Sequence, residues 1–237
     1  MLNPRLKSTV QRLLPRFLLR ALDPFEARMT EAVGEFARSL PADSRVLDAG
    51  AGESRYAPLF AGLRYVALDL AVGDAQWNYA GLDLLGDLEC LPLADATFDA
   101  ALNVVTLEHV RRPQVVIQEL ARVLRPGGRL LLVAPLEWEV HQAPHDYFRY
   151  TRHGLEHLLS TAGLRTGRLE PVGGFFWLMA RRSVNFLSFF QGGAKWILFA
   201  LLAPFFGLLI PVLLYAVDGC DRRRDFTLGY VCEATKT

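Results

Sequence analysis

Two aspartates and two glycines set the first chemical question. Asp48, Gly50 and Gly52 lie within "RVLDAGAGES", and Asp69 closes the next apolar run, "RYVALDL". Glycines at that spacing let a backbone turn tightly against a ligand. A carboxylate ending the following strand can accept two hydrogen bonds from vicinal ribose hydroxyls. The combination favours a nucleoside. A nicotinamide site fits less well, because the third glycine of G-x-G-x-x-G falls at Arg55. Further along, "LEWEVHQAPHDYFRYTRHGL" gathers groups suited to an acceptor. His145 is the first candidate base, since a neutral imidazole takes up a proton near physiological pH. Asp146 would orient it or cap a turn, Tyr147 and Tyr150 would shape a pocket or pack the loop down, and Arg149 would meet an acidic acceptor. His109 in "LEHV" is a second candidate base, although a structural hydrogen-bonding role is the favoured reading for Glu108 and His109. His141 and His145 have the spacing of helical metal ligands, but Pro144 intervenes and no third ligand is evident, so no metal is expected.

These residues need elements to hold them. "RVLD" at 45–48, "RYVALDL" at 64–70, "FDAALNVV" at 98–105 and "RLLLVAP" at 129–135 read as buried parallel strands, with a weaker strand at 82–86. Asp23, Pro24 and Glu26 read as N-cap, first helical position and capping-box partner of a helix running towards Ser39. "QVVIQELARVL" at 114–124 is a helix stopped by Pro126, Gly127 and Gly128, and another helix covers 151–161. "GLRTGRLEPV" and "DFTLGYVCEA" supply two later strands. This alternation predicts an open, mostly parallel α/β sheet, whose ligands bind beyond the carboxyl ends of the strands.

The ordered series "VLDAGAGESRY", "VALDL", "GDLECLPLADATFD", "LNVVTLEHV" and "RVLRPGGRLLLVAP" resembles the class I S-adenosylmethionine-dependent methyltransferases of the broad type 11 group, over roughly Leu40 to Pro171. The resemblance implies a Rossmann-like sheet with an antiparallel last strand and S-adenosyl-L-methionine as cofactor. By it, Asp48, Gly50 and Gly52 form the methionine-side loop, Asp69 with Leu70 holds the ribose, Asp87 with Leu88 borders the adenine, and Asn103 and Val104 flank the methionine end. Ser54 stands where many relatives have a third small glycine. "APHDYFRYT" resembles a pattern in a bacterial subset associated with polysaccharide, lipid or secondary-metabolite modification. That pattern does not fix the acceptor; it is the apolar run at 196–217 that points to a small, hydrophobic or lipid-linked molecule.

Composition bounds the rest. The 237 residues are 51% hydrophobic and 22% charged, enough for a substantial core, and the formal net charge of +1 gives no global case for nucleic acid. Cys90, Cys220 and Cys232 are too far apart for a C-x-x-C site, and a reducing cytoplasm fits them best. Arg12, Arg16 and Arg20 place a basic stripe on an amphipathic N-terminal helix rather than in a signal peptide. "WILFALLAPFFGLLIPVLLYAV" at 196–217 is apolar enough to span a bilayer, but Pro204 and Pro211 interrupt it. The last strand must rejoin the sheet, and basic residues flank the run on both sides, as the positive-inside tendency asks of cytoplasmic flanks. The run therefore reads as a broken, monotopic hairpin dipping into the inner face of the membrane. A homodimer interface or a lid over an apolar substrate are the competing readings. The expected organisation is N-terminal helices at 1–40, a methyltransferase core at 41–174, an apolar insertion at 175–224 and the terminal strand at 225–237. A noncatalytic nucleoside-binding protein and, behind it, a nicotinamide oxidoreductase are the alternative functions.

Overall fold

The computed structural model describes residues 23–73 and 76–237. The basic N-terminal stripe at Arg12, Arg16 and Arg20 lies outside them. By its internal contacts the chain forms two compact units.

The larger unit, Met29–Glu170 with Gly229–Thr237, is the α/β sheet. Its strands are β1 (Arg45–Ala49), β2 (Arg64–Asp69), β3 (Leu84–Leu85), β4 (Phe98–Val104), β5 (Leu124–Pro135), β6 (Leu164–Pro171) and β7 (Gly229–Lys236), in the order β3-β2-β1-β4-β5-β7-β6. The pairs from β3 through β5 are parallel, and β7 runs antiparallel to β5. This is the mostly parallel sheet with an antiparallel last strand that the sequence implies. The strand order reverses at β1, so β1 pairs with both β2 and β4. Ligands of such sheets bind beyond the carboxyl ends of the strands at the point of reversal.

Helix α1 (Pro24–Arg38) starts as expected, with the Glu26 N–H donating to Asp23 Oδ1 at 3.3 Å. Helix α2 (Pro113–Val123) buries Val116, Ile117, Leu120 and Ala121, spaced to share one face. Helix α3 (Arg152–Thr161) is capped by Thr151, whose Oγ1 accepts from the Gly154 N–H at 3.1 Å. The buried α2 side chains, with Leu155, Leu158 and Leu159 of α3, join Leu47, Leu68, Leu130 and Leu132 in one core cluster. Each large aliphatic side chain so buried contributes about 1.5–3 kcal/mol. Three boundaries differ from the sequence reading. β3 has only two residues, β5 begins at Leu124 rather than 129, and β7 begins at Gly229 rather than 225. The Pro-Gly-Gly that stops the helix does not break the chain, because Phe98 pairs with Leu124 across a bulge before the regular register resumes at Ala100.

The smaller unit contains Pro171–Leu228 and the start of α1. Here the expectation of a run broken at its prolines is corrected. Helix α5 (Trp196–Pro204) passes through a π-helical turn (Phe205–Leu209) directly into α6 (Ile210–Val217). The π turn contains Gly207, whose carbonyl the Pro211 ring would otherwise meet four residues on, while Pro204 closes α5 just before it. The helical run from Gly193 to Cys220 is 28 residues, about 42 Å at 1.5 Å per residue. A hairpin does form, but with α4 (Phe175–Phe186) as its other arm. Trp177 meets Tyr215, and Phe186 meets Phe206, at ring separations of 5.9 and 4.8 Å. At the hairpin's base, Asp218 accepts from the Gly174 and Trp177 N–H groups at 3.1 and 3.2 Å, capping α4. The Leu228 N–H and the Thr227 hydroxyl both donate to the Val172 carbonyl. The insertion therefore leaves and returns at one place.

Candidate functional site

The expected donor residues converge at the carboxyl ends of β1, β2 and β4. Asp48 is buried, and its Oδ2 accepts the Tyr65 hydroxyl at 2.5 Å. Burial raises its pKa from 3.8 to about 6. The loop that follows is held closely. Gly50 and Ala51 both donate to the Leu68 carbonyl, at 2.8 and 3.1 Å. Gly50 has φ +90°, and a Cβ there would fall 2.3 Å from Thr106 Cγ2, so only glycine fits. Asp69 clasps the same loop: Oδ2 accepts from the Gly52 N–H at 2.9 Å and Oδ1 from the Ala71 N–H at 2.7 Å. Each carboxylate oxygen retains a second acceptor position. Ser54 answers the departure noted in the sequence, for it adopts φ +55° and donates its hydroxyl to the Gly81 carbonyl at 3.0 Å. Its side chain thus offsets part of the cost of a left-handed backbone with a bond that glycine cannot make.

Asn103 is fully buried and donates Nδ2 to the Ala49 carbonyl at 2.8 Å, joining the ends of β4 and β1, while its Oδ1 has no partner among the described residues. Val104 is buried beside it. Leu70 is half exposed. Asp87 is exposed and caps its own turn by accepting from the Glu89 N–H at 2.8 Å. The Leu88 side chain belongs to the core cluster, so at that position the backbone is what can border a ligand. Two contributors escaped the sequence reading. Tyr65 shares the period-2 face of Ala67 and Asp69, a signal that was available. Trp77 lies against Gly52, where a Cβ would come within 3.3 Å of its ring, and nothing local announces that contact.

The acceptor-side candidates divide into two groups. His145 Nδ1 lies 3.2 Å from the Tyr147 hydroxyl, and Arg111 Nε donates to that same oxygen at 3.1 Å. His145 and Tyr147 thus form one imidazole–phenol pair beside a guanidinium. His109 belongs elsewhere. Its Nδ1 donates to the His145 carbonyl at 2.5 Å, and its Nε2 lies 3.7 Å from Glu108 Oε1. Burial lowers the His109 pKa and pushes Glu108 up to about 8. The histidine pair suggested by spacing also separates: His141 stands edge-on to His109 at 4.7 Å between ring centroids, while the His145 ring faces Tyr147. Asp146 receives two bonds from Arg149, at 2.6 and 2.9 Å, which hold its pKa down at about 2, and it accepts from the His141 backbone N–H. Tyr150 is buried and donates to the Leu107 carbonyl at 2.7 Å, a packing role rather than a pocket wall.

The sheet order, the antiparallel β7 and the glycine loop clasped by Asp69 define a Rossmann-like class I methyltransferase fold. More particularly, residues 47–132 match the family described as "Methyltransferase domain", as the motif series implies. The fatty-acid O-methyltransferase of Mycolicibacterium smegmatis is 40% identical over 97 residues, covering 37% of this chain and 35% of that protein. The chain therefore spans about a third of the length of that curated relative. Among solved structures, the [4+2]-cyclase SpnF superposes with a TM-score of 0.58 at 22% identity, over 88% of this chain and 80% of the other. The Burkholderia thailandensis 1,6-didemethyltoxoflavin-N1-methyltransferase, bound to its substrate and S-adenosylhomocysteine, gives 0.53 at 19% identity, over 100% and 92%. At these identities the structures speak to the fold alone.

Proposed function

We propose that this chain is an S-adenosylmethionine-dependent methyltransferase, acting on a small hydrophobic or lipid-linked acceptor at the cytoplasmic face of a membrane. The observation that carries the donor half is the clasp between the Gly50–Gly52 loop and Asp69, inside the segment that matches the methyltransferase family. The residues fit the cofactor. Gly50 and Gly52 keep side chains out of the loop, Asp69 retains acceptor capacity for a ribose, and Asn103 Oδ1 is a buried acceptor in need of a donor such as an ammonium. When bound, S-adenosylmethionine supplies an electrophilic methyl on a sulfonium. The protein's task is then to align an acceptor in line with it and exclude water. His145 and Tyr147 are the pair assigned to receive the acceptor's proton, and Arg111 stabilises whichever oxygen carries negative charge.

The acceptor reading rests on the insertion. Ile197, Leu201 and Leu213 are 68%, 64% and 58% exposed on a helical run that is strongly apolar, and such surface marks an interaction site. The fatty-acid O-methyltransferase relative favours an apolar acceptor in the same direction. A cyclase shares the fold, so the chemistry needs its own test. Calorimetric titration with S-adenosylmethionine, S-adenosylhomocysteine and NAD should show binding of the first two only. Labelled methyl donor supplied with lipid and soluble extracts should yield a labelled lipid-extract product. NAD binding, or absence of any methyl transfer to either extract, would overturn the respective halves of the proposal.

A further inference from the structure

We propose that Glu108, His109 and His141 form a site for one divalent transition-metal cation of the zinc class, tying the loop after β4 to the loop after β5. The three side chains place their ligand atoms within 4.8 Å of one another. Glu108 is fully buried, yet among the described residues neither of its carboxylate oxygens has a hydrogen-bond partner, and His109 Nε2 is likewise buried without one. Leaving such groups unpaired is costly. They do not satisfy each other: Glu108 Oε1 is 3.7 Å from His109 Nε2 and 4.0 Å from His141 Nε2, both too long for a hydrogen bond. Two ligands of a tetrahedral zinc stand about 3.3–3.5 Å apart when each is about 2.0–2.1 Å from the ion. A shortening of about 0.2–0.7 Å at the two Glu108 contacts, with the two histidine nitrogens drawing together from within 4.8 Å, would bring the three into that geometry.

The histidines are also oriented as ligands. His109 Nδ1 faces the His145 carbonyl at 2.5 Å and His141 Nδ1 faces the Glu139 carbonyl at 3.1 Å. A carbonyl only accepts, so each Nδ1 carries the proton and each Nε2 presents its lone pair towards Glu108. Asp146 Oδ2 lies 3.5 Å from His141 Nδ1 and is itself fixed by Arg149, which adds the carboxylate support usual behind metal-binding imidazoles. Two neutral imidazoles and one carboxylate suit zinc, and three protein ligands leave a fourth position for water or an acceptor oxygen. Sequence spacing pairs His141 with His145, whereas the fold pairs it with His109 and a glutamate from the other loop.

The site is tested on tag-free, chelator-stripped full-length protein. Cobalt(II) titration should develop tetrahedral ligand-field bands saturating at one equivalent, and zinc should displace it. His141→Asn and Glu108→Gln should each weaken cobalt affinity at least 100-fold, with folding checked by circular dichroism. Because the buried Glu108 variant could fail to fold, nitrogen-15 NMR of the histidine rings in the unaltered protein supplies a second reading. Zinc should shift Nε2 of His109 and His141 and leave His145, His153 and His157 in place. No saturable binding by the folded protein, undiminished binding in folded His141→Asn, or shifts confined to the other three histidines would overturn the proposal.

Discussion

At the scale of single residues, Asp69 does two jobs whose loss can be told apart. Its carboxylate braces Gly52 and Ala71 and, on the proposed function, accepts the ribose hydroxyls. Asp69→Ala should weaken S-adenosylmethionine and S-adenosylhomocysteine alike, by more than about 1 kcal/mol each. Unchanged calorimetric affinity for both in a folded variant would remove the ribose assignment. Asp48 makes a prediction in pH. Its folded pKa of about 6 exceeds the ordinary 3.8, so the folded state binds the proton more tightly. Its contribution to stability is therefore greatest below about pH 4 and falls as pH rises through 6, by at most about 3 kcal/mol. Asp48→Asn should flatten that part of the curve of unfolding free energy against pH between 4 and 7. An unchanged slope would place Asp48 in a better-solvated setting. Asp48 and Asp69 were legible in the sequence because each closes an apolar run before a turn. The Glu108–His109–His141 cluster was not, since it depends on which loops a parallel sheet brings together from more than 30 positions apart.

Among the elements, the strands of the sheet were legible from short apolar runs, because strands covered on both faces leave little else to read. The course of the apolar insertion was not. Proline signals a helix break from local sterics alone, while the π turn at Phe205–Leu209 shows the helix accommodating both prolines without stopping. The hairpin's base is instead set by Asp218, a buried carboxylate whose partners lie more than 40 residues earlier. Asp218→Ala should cost about 1–2 kcal/mol, the scale of a lost helix cap, and should raise amide exchange in α4 above that in β1 and β4. Uniform acceleration across the sheet strands, or none in α4, would show that the cap does not hold the hairpin.

For the whole molecule, the decisive property is where the exposed apolar insertion resides in solution. Its ends meet through Val172 with Thr227 and Leu228, and Arg222, Arg223 and Arg224 flank it just before that return, whereas Arg181 and Arg182 lie within α4 and Lys195 in the turn that leads into α5. Burial of Phe205, Leu209 and their neighbours in one leaflet would remove apolar surface from water, while the flanking cations would be drawn to anionic headgroups. The protein should float with anionic liposomes, less so at high salt, and protease added outside should cut both termini. Replacing Phe205, Phe206 and Leu209 by serine should reduce flotation severalfold without weakening S-adenosylmethionine binding, because the donor residues belong to the other unit. The helical run is long enough to cross a bilayer, so opposite protection of the two termini would establish a crossing and refute the one-leaflet arrangement. A protein that ignores liposomes but changes from dimer to monomer on the same substitutions would assign the apolar face to a second copy of the chain, and the lipid-linked acceptor would lose its physical basis.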